Sequence, residues 1–356
     1  METLVTIQAE NLGTIIEPAA EASSGETDRV AELLKGAATL FVCDSNPATT
    51  ELLRGLIGTV GAVEALRVVA KAPKKVESLI PELKGKVLQA PRPQAQGDDP
   101  TAVPAKLTEE GRKVFIATAR PDPLFGIVDA RVQACLDWIQ SAQQEAAAAR
   151  KDFEPTPFEK TASYDKAAEL AEGFREASFL TVVPRGGRVR SILEDAPFDA
   201  VRNGFLDSTI PQARGIIVGA GGRGYDDTFS MALRSIWGVL SAVRKEGEIL
   251  MISECEGGLG SIALEMLVSG RIDGEGRGRK ERYVGGLEEV YYLGKLKEEY
   301  GVLLLSGLPD LFAKNKLGLN TARGSAEAVG RLLNKLGRSA RVNVVTRAPE
   351  CRVASA

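Results

Sequence analysis

Gly215-Ile216-Ile217-Val218 runs directly into Gly219-Ala220-Gly221-Gly222-Arg223-Gly224, and this junction decides how the chain is read. A short apolar run that ends in glycines reads as a buried strand closed by a tight turn. Asp226, Asp227 and Thr228 follow, all good helix caps, and then Phe229, Leu233, Ile236, Trp237, Leu240 and Val243 recur at helical spacing. Glu246-Gly247 is expected to stop that helix, with Ile249 to Ile252 as a second buried strand. A second glycine turn, Gly257-Gly258-Leu259-Gly260, then opens a helix from Ser261 to about Leu267. The order strand, turn, helix, strand, turn, helix predicts a parallel sheet, whose ligands sit at the carboxyl ends of its strands.

The same alternation extends in both directions. Upstream, Leu4 to Gln8, Thr14 to Ile16, Thr39 to Cys43, Leu66 to Ala70, Lys86 to Gln89, Lys113 to Thr118 and Phe179 to Val183 read as strands. Helices are expected from Asp28 to Lys35, from Thr49 or Thr50 onward, over Lys74 to Leu83, in one long run from Ile127 to Lys151, and over Tyr164 to Arg175. Pro91 to Pro104 and Gly270 to Arg282 read as loops. Downstream come a helix from Leu287 to Tyr300, strand Val302 to Leu305, helix Ser325 to Leu336 and a last strand, Arg341 to Val345. The fold class is α/β, with mainly parallel sheets flanked by helices. We divide the chain into an amino-terminal domain over 1–208 and a carboxyl-terminal domain over 209–356, with a ligand cleft between them. At 356 residues two domains are the default.

Composition excludes more than it proposes. The chain has no histidine, so no imidazole can serve as base, as partner of a nucleophile or as metal ligand. Its cysteines, Cys43, Cys135, Cys255 and Cys351, stand far apart, which argues for reduced thiols in a cytoplasmic protein and against a zinc site. No apolar run is long enough to span a bilayer, and no signal peptide is visible. A net charge of −3 gives no global basic field, so nucleic acid is not a favoured partner.

Several segments in this order resemble the nickel-pincer lactate racemase family. Tyr225-Asp226-Asp227-Thr228-Phe229, then Ser253-Glu254-Cys255-Glu256-Gly257-Gly258-Leu259-Gly260, look like that family's second domain, as do Leu303 to Leu308 and Leu317-Gly318-Leu319. The resemblance implies a racemase-like fold over most of the chain. The family's chemistry uses nickel in a pincer cofactor joined to a lysine, with histidines as metal ligand and as paired acid and base. Matched to the family's Gly-Thr-His-Arg-Pro segment, Ala117-Thr118-Ala119-Arg120-Pro121 places Ala119 where a catalytic histidine would be. Gly186-Gly187-Arg188-Val189-Arg190-Ser191 places Arg190 near the cofactor-bearing lysine. Phe179 falls near the second catalytic histidine, and Gly204 near the metal-binding one. Asp44-Ser45-Asn46 resembles the turn that holds the cofactor phosphate, with Asn46 in place of an arginine. Arginine is a poor nucleophile and cannot readily replace the lysine. The nickel-pincer nucleotide is therefore not expected, and no metal site is.

The expected ligand is a small anion, a hydroxy acid or a phosphate-bearing molecule. Asp44, Asn46, Arg120, Arg185, Gly186, Gly187, Arg188 and Arg190 are the candidate residues that would hold it, because arginine forks and free amides both suit such groups. Glu254 and Asp44 are the candidate catalytic carboxylates if a reaction occurs. Gly219-x-Gly221-x-x-Gly224 has dinucleotide-binding spacing, with Glu254 as the nearest acidic partner, but we read it as a glycine turn belonging to the racemase-like fold. Three readings stay open: a binding protein or pseudoenzyme without the nickel machinery, a divergent isomerase or oxidoreductase acting on a hydroxy acid, and a regulator that contacts a macromolecular partner. A homo-oligomer is compatible with all three.

Overall fold

The computed structural model describes residues 12–16, 26–34, 37, 39–60, 67–70, 73–89, 111–274, 283–337 and 340–356. The strand expected over Leu4 to Gln8, the loop over Pro91 to Pro104 and most of the loop ending at Arg282 lie outside them. The strands of the first half are β1 (Leu12–Ile16), β2 (Thr39–Val42), β3 (Arg67–Ala70), β4 (Val87–Gln89), β5 (Lys113–Thr118), β6 (Arg120–Asp122), β7 (Gly126–Val128), β8 (Ala177–Arg185) and β9 (Arg188–Glu194). The second half adds β10 (Leu206–Ile210), β11 (Ala213–Gly219), β12 (Val243–Ile252), β13 (Gly301–Leu305), β14 (Asn320–Thr321), β15 (Val342–Val345) and β16 (Cys351–Ser355).

These strands build two sheets of six. One has the order β4-β3-β2-β5-β8-β9 and the other β1-β15-β11-β12-β13-β14, while β10 with β16 and β6 with β7 form short ribbons. All pairings in the large sheets are parallel except β8 with β9. Near-continuous apolar strands are what a parallel sheet covered on both faces requires. Along β5, Val114 and Ile116 point into the core shared with helices 26–34 and 47–60, while Phe115 and Ala117 pack on the opposite face with Trp138. Along β11, Ile216 and Val218 face one core and Ile217 the other.

The first strand pairs across the domain boundary expected at 208. β1 pairs with β15 and belongs to the second sheet, and the Thr346 amide donates to the Ile16 carbonyl at 3.1 Å. The short ribbon crosses the boundary as well, with Leu206 opposite Cys351 and Ile210 opposite Ser355. The expected boundary thus falls inside β10, and a further strand, β16, follows Val345. One apolar core holds Ala119, Phe158 and Phe205 together with Phe229, Met251 and Val353, so residues after β5 pack with the second sheet.

The expected long helix from Ile127 is instead a strand and two helices, Ala130–Trp138 and Ala142–Ala148. Asp129 is extended and its carboxylate caps the first of these by accepting from the Val132 amide at 2.9 Å. Gly126 is the local cause. At φ +80°, any Cβ there would run into the Glu159 carbonyl, so the chain crosses here as backbone and turns into a helix only afterwards. The helix after the first glycine turn is also shorter than expected: Phe229–Ser235 passes into a 3-10 segment, Ile236–Ala242, and β12 already begins at Val243. Gly247 lies inside that strand, because its missing Cβ leaves room for the Arg214 carbonyl of β11.

All four cysteines are buried and free. Burial pushes the Cys255 thiol up to about 11 and the Cys351 thiol up to about 12, and raises Cys135 further. The thiolate is the reactive form, so maleimide at pH 8 is expected to label the native protein slowly and the urea-unfolded protein fast. Mass spectrometry before and after unfolding checks this; fast native labelling of Cys255 would contradict the packing described. Among the described residues, no helix is long and apolar enough to cross a membrane.

Candidate functional site

In the first sheet the chain passes β2, β3, β4 in one direction and then returns to place β5 on the other side of β2. The crevice between the carboxyl ends of β2 and β5 is therefore the switch point where ligands of such sheets bind. Asp44 follows β2 there. Its carboxylate accepts from the Thr118 amide at the end of β5 and, at 3.0 Å, from the Asn46 amide, so it ties the two strand ends together. Those bonds give Asp44 a structural task and leave it poorly placed to act as a base.

Helix 47–60 starts immediately after this turn, with Pro47 in the first position, where the missing amide costs nothing. The helix begins two residues earlier than its sequence suggests. Asn46 is 1% exposed, its side-chain oxygen has no hydrogen-bond partner among the described residues, and it packs against Gly224 of the glycine turn after β11. The two turns, one from each sheet, meet at this contact.

Beside it lies a cleft of about 340 Å³ lined by Ser45, Pro47, Thr50, Glu51, Arg54, Leu79, Gly187, Arg188 and Arg223. Its arginines come from three separate segments: Arg54 from helix 47–60, Arg188 from the β8–β9 turn, and Arg223 from the turn after β11. Arg54 donates to the Leu79 carbonyl at 2.7 Å. Arg188 and the Val189 amide both reach Glu51, at 3.2 and 3.0 Å. With Arg188 and Glu51 both substantially exposed, that pair is worth about 0–1 kcal/mol.

The glycines of the same turn are less available than their sequence suggests. The Gly187 amide donates to both oxygens of Glu350, at 3.1 and 3.3 Å, and Glu350 is fully buried and paired with Arg347. A carboxylate of the chain's own thus occupies the Gly186-Gly187 concavity, where an external anion was expected. The remaining candidates lie off the cleft. Arg120 is half-buried, donates to Gln133 at 2.7 Å, and has its pKa lowered by loss of water. Arg185 acts electrostatically on Cys351 in the carboxyl-terminal segment. Arg190 donates to the carbonyl of Gly204.

That last bond bears on the positions matched to the lost catalytic groups. Arg190 and Gly204 meet, and both lie near Val183, beside which the Ala119 amide donates to Val182. Phe179 does not join them. It pairs with Phe115, three strand positions or roughly 10 Å before Val182, and stacks in the aromatic cluster of the first sheet. Ala119 is itself fully buried in the shared core, so no common hollow surrounds the matched positions.

Glu254 is placed elsewhere again. It follows β12 and lines a second cavity of about 400 Å³ over the carboxyl ends of β11, β12 and β13, together with Gly219 to Gly222, Asp226, Ser306 and Thr346. Burial raises its carboxyl above the usual range, helped by Asp226, Glu256 and Asp227, while Arg223 pulls the other way. The two candidate catalytic carboxylates, Asp44 and Glu254, therefore do not share a site.

Compared with solved structures, the chain matches the lactate racemase apoprotein of Thermoanaerobacterium thermosaccharolyticum with a TM-score of 0.68 over 98% of this chain and 96% of that one, at 13% identity. The fold is that of lactate racemase. A protein of Thermotoga maritima also matches, with a TM-score of 0.61 over 96% of this chain and 100% of that one, at 10% identity. No family model and no curated protein matches the sequence. The lactate racemase fold, with its mainly parallel sheets flanked by helices, agrees with the class expected from the sequence.

Sequence reasoning missed Arg54 and Glu51, which sit within an ordinary helical pattern, and passed over Arg223, which stood in a motif read for its glycines. Glu350 carried no local signal at all.

Proposed function

We propose that this protein, on a lactate racemase fold, binds a small anion in the cleft between its two sheets and does so without nickel-pincer chemistry. The observation that carries the reading is the convergence of Arg54, Arg188 and Arg223 on one cleft at the amino terminus of helix 47–60. Three guanidinium groups and a helix amino terminus favour a phosphate or a carboxylate. Glu51 holds the cleft in order until a stronger anion takes over its arginine.

A nickel-pincer group, which the family resemblance implies, asks for a lysine amine and imidazoles. At the matched positions the chain offers Arg190, turned onto the Gly204 carbonyl, and the buried methyl of Ala119, and it has no histidine anywhere. These residues do not fit such a group.

The reading is tested by titrating the protein with inorganic phosphate, phosphoglycolate and lactate while following heat release and thermal midpoint. At least one of these is expected to bind, more weakly as salt is raised. Arg188→Ala and Arg223→Ala are each expected to weaken it about 10- to 100-fold, the equivalent of one charge-assisted hydrogen bond. Absence of binding by all three anions would defeat the proposal, as would stoichiometric nickel or interconversion of lactate enantiomers.

A further inference from the structure

We infer that the cavity over β11, β12 and β13 is a second, separate binding site, one that takes a sugar ring, free or within a nucleoside, through a pair of neighbouring hydroxyls. Asp226 lines this cavity and is only 2% exposed. Its Oδ2 accepts from the Glu254 amide at 3.1 Å, while its Oδ1 has no hydrogen-bond partner among the described residues. A buried acceptor without a donor is costly, and a carboxylate can only accept, so the group that satisfies it has to donate. A second carboxylate, Glu254, stands on the same wall, and the hydroxyl-bearing residues Ser306 and Thr346 line the cavity with them. Two acceptors facing one space suit a diol, whose adjacent hydroxyls donate in nearly the same direction.

The place of Glu254 in the topology supports the same ligand. It comes directly after β12, the strand that follows the glycine turn, and in dinucleotide-binding sheets the acid in that place holds ribose hydroxyls. Phosphate is disfavoured here by the two carboxylates that line the cavity, Asp226 and Glu254. The helix that follows the turn has only seven residues, and Asp227 already occupies the Gly224 amide at 3.0 Å. Nor is the cavity built for a cation: Lys75 pairs with Asp227, and Arg223 draws on Glu254. What remains is an uncharged donor. Gly222 leaves open space where a side chain would stand, so a ring can approach the backbone of the turn.

Adenosine and D-ribose are the probes, with 2′-deoxyadenosine, AMP and 1,4-diaminobutane as comparisons, read by ligand-observed NMR and calorimetry. Adenosine or ribose is expected to bind, and loss of one hydroxyl, or gain of a phosphate when tested in Arg188→Ala, to weaken adenosine by at least about tenfold. Glu254→Gln, at an exposed position, is expected to do the same without moving the thermal midpoint, whereas Arg188→Ala, in the anion cleft, leaves the affinity unchanged. Failure of both adenosine and ribose at about 10 mM overturns the proposal. So do equal binding of the deoxy compound, preferential binding of the diamine, and a preference for AMP that persists in Arg188→Ala, where the anion cleft is weakened. Because the anion cleft is tested by other probes and other variants, either site can fail while the other stands.

Discussion

Replacing Arg234 with alanine is expected to destabilise the protein by about 3–5 kcal/mol at neutral pH, the usual cost of stranding buried charge. Arg234 leaves helix 229–235 and meets three carboxylates: Asp122 at 2.9 Å, Glu289 at 2.7 Å, and Glu288. Asp122, Glu288 and Glu289 are at most 2% exposed, so none can turn to water. Asp122 belongs to β6 in the first half, whereas Glu288 and Glu289 open helix 287–299 in the second, and the guanidinium is thus a tie between the two. Gln143 and Tyr283 support Glu288, at 2.8 and 2.9 Å, and Ser230 supports Glu289 at 2.6 Å. Burial alone would lower the arginine's pKa, but the three carboxylates hold it well above its ordinary value.

One cation against three carboxylates leaves an excess of negative charge, and burial raises Glu289 above the ordinary glutamate range despite Arg234. A raised acid binds its proton more tightly folded than unfolded. Its contribution to stability is therefore full below the ordinary glutamate value, about 4.3, and is lost as pH rises through the folded value. Without Arg234 the folded value of Glu289 climbs further, so the deficit of the variant grows from acid to neutral pH. Urea unfolding of both proteins at pH 4 and pH 7 reads this out. A deficit below about 1 kcal/mol at pH 7, or one independent of pH, would mean that the cluster is not the tie described.

Arg234 also marks where the sequence stops being legible. The strands of both sheets could be read because each is a short apolar run buried on two faces and closed by a glycine or polar turn. Such signals are local. β1 could be seen as a strand but not assigned to a sheet, because its partner, β15, lies at the far end of the chain. The helix expected over Ile127 and Val128 failed for a related reason. Apolar residues at that spacing suit either period, and the contact of Gly126 with the Glu159 carbonyl, more than thirty residues away, chose the strand. At the site, Arg188 was legible because it stands in a basic turn between strands. Arg54 was not, since a helical arginine is ordinarily a solvated one. The occupation of Gly187 by Glu350 spans a sequence separation of 163, which no motif records.

The contact between the two turns leads to the other large effect. Gly224→Ala is expected to cost about 2–4 kcal/mol, combining a left-handed backbone with an overpacked contact. Gly224 has φ +86°, and an added Cβ would stand 2.8 Å from the Asn46 Cα and closer still to its side-chain oxygen. A rotamer change cannot relieve a clash with backbone, and Asn46 is fixed from behind by the carboxylate of Asp44 and by the start of helix 47–60. The turns have to part. Ser45 and Arg223, their neighbours, both line the cleft proposed to bind an anion, so on that proposal phosphate affinity should fall together with stability. Gly222→Ala is the matched control. It has φ +73° but no atom within 4 Å of the added Cβ, which leaves the backbone cost alone, about 1–2 kcal/mol. Urea unfolding and phosphate titration of the two variants separate conformation from contact. If Gly224→Ala lost no more stability than Gly222→Ala and kept its phosphate affinity, the two turns would not be holding the cleft together.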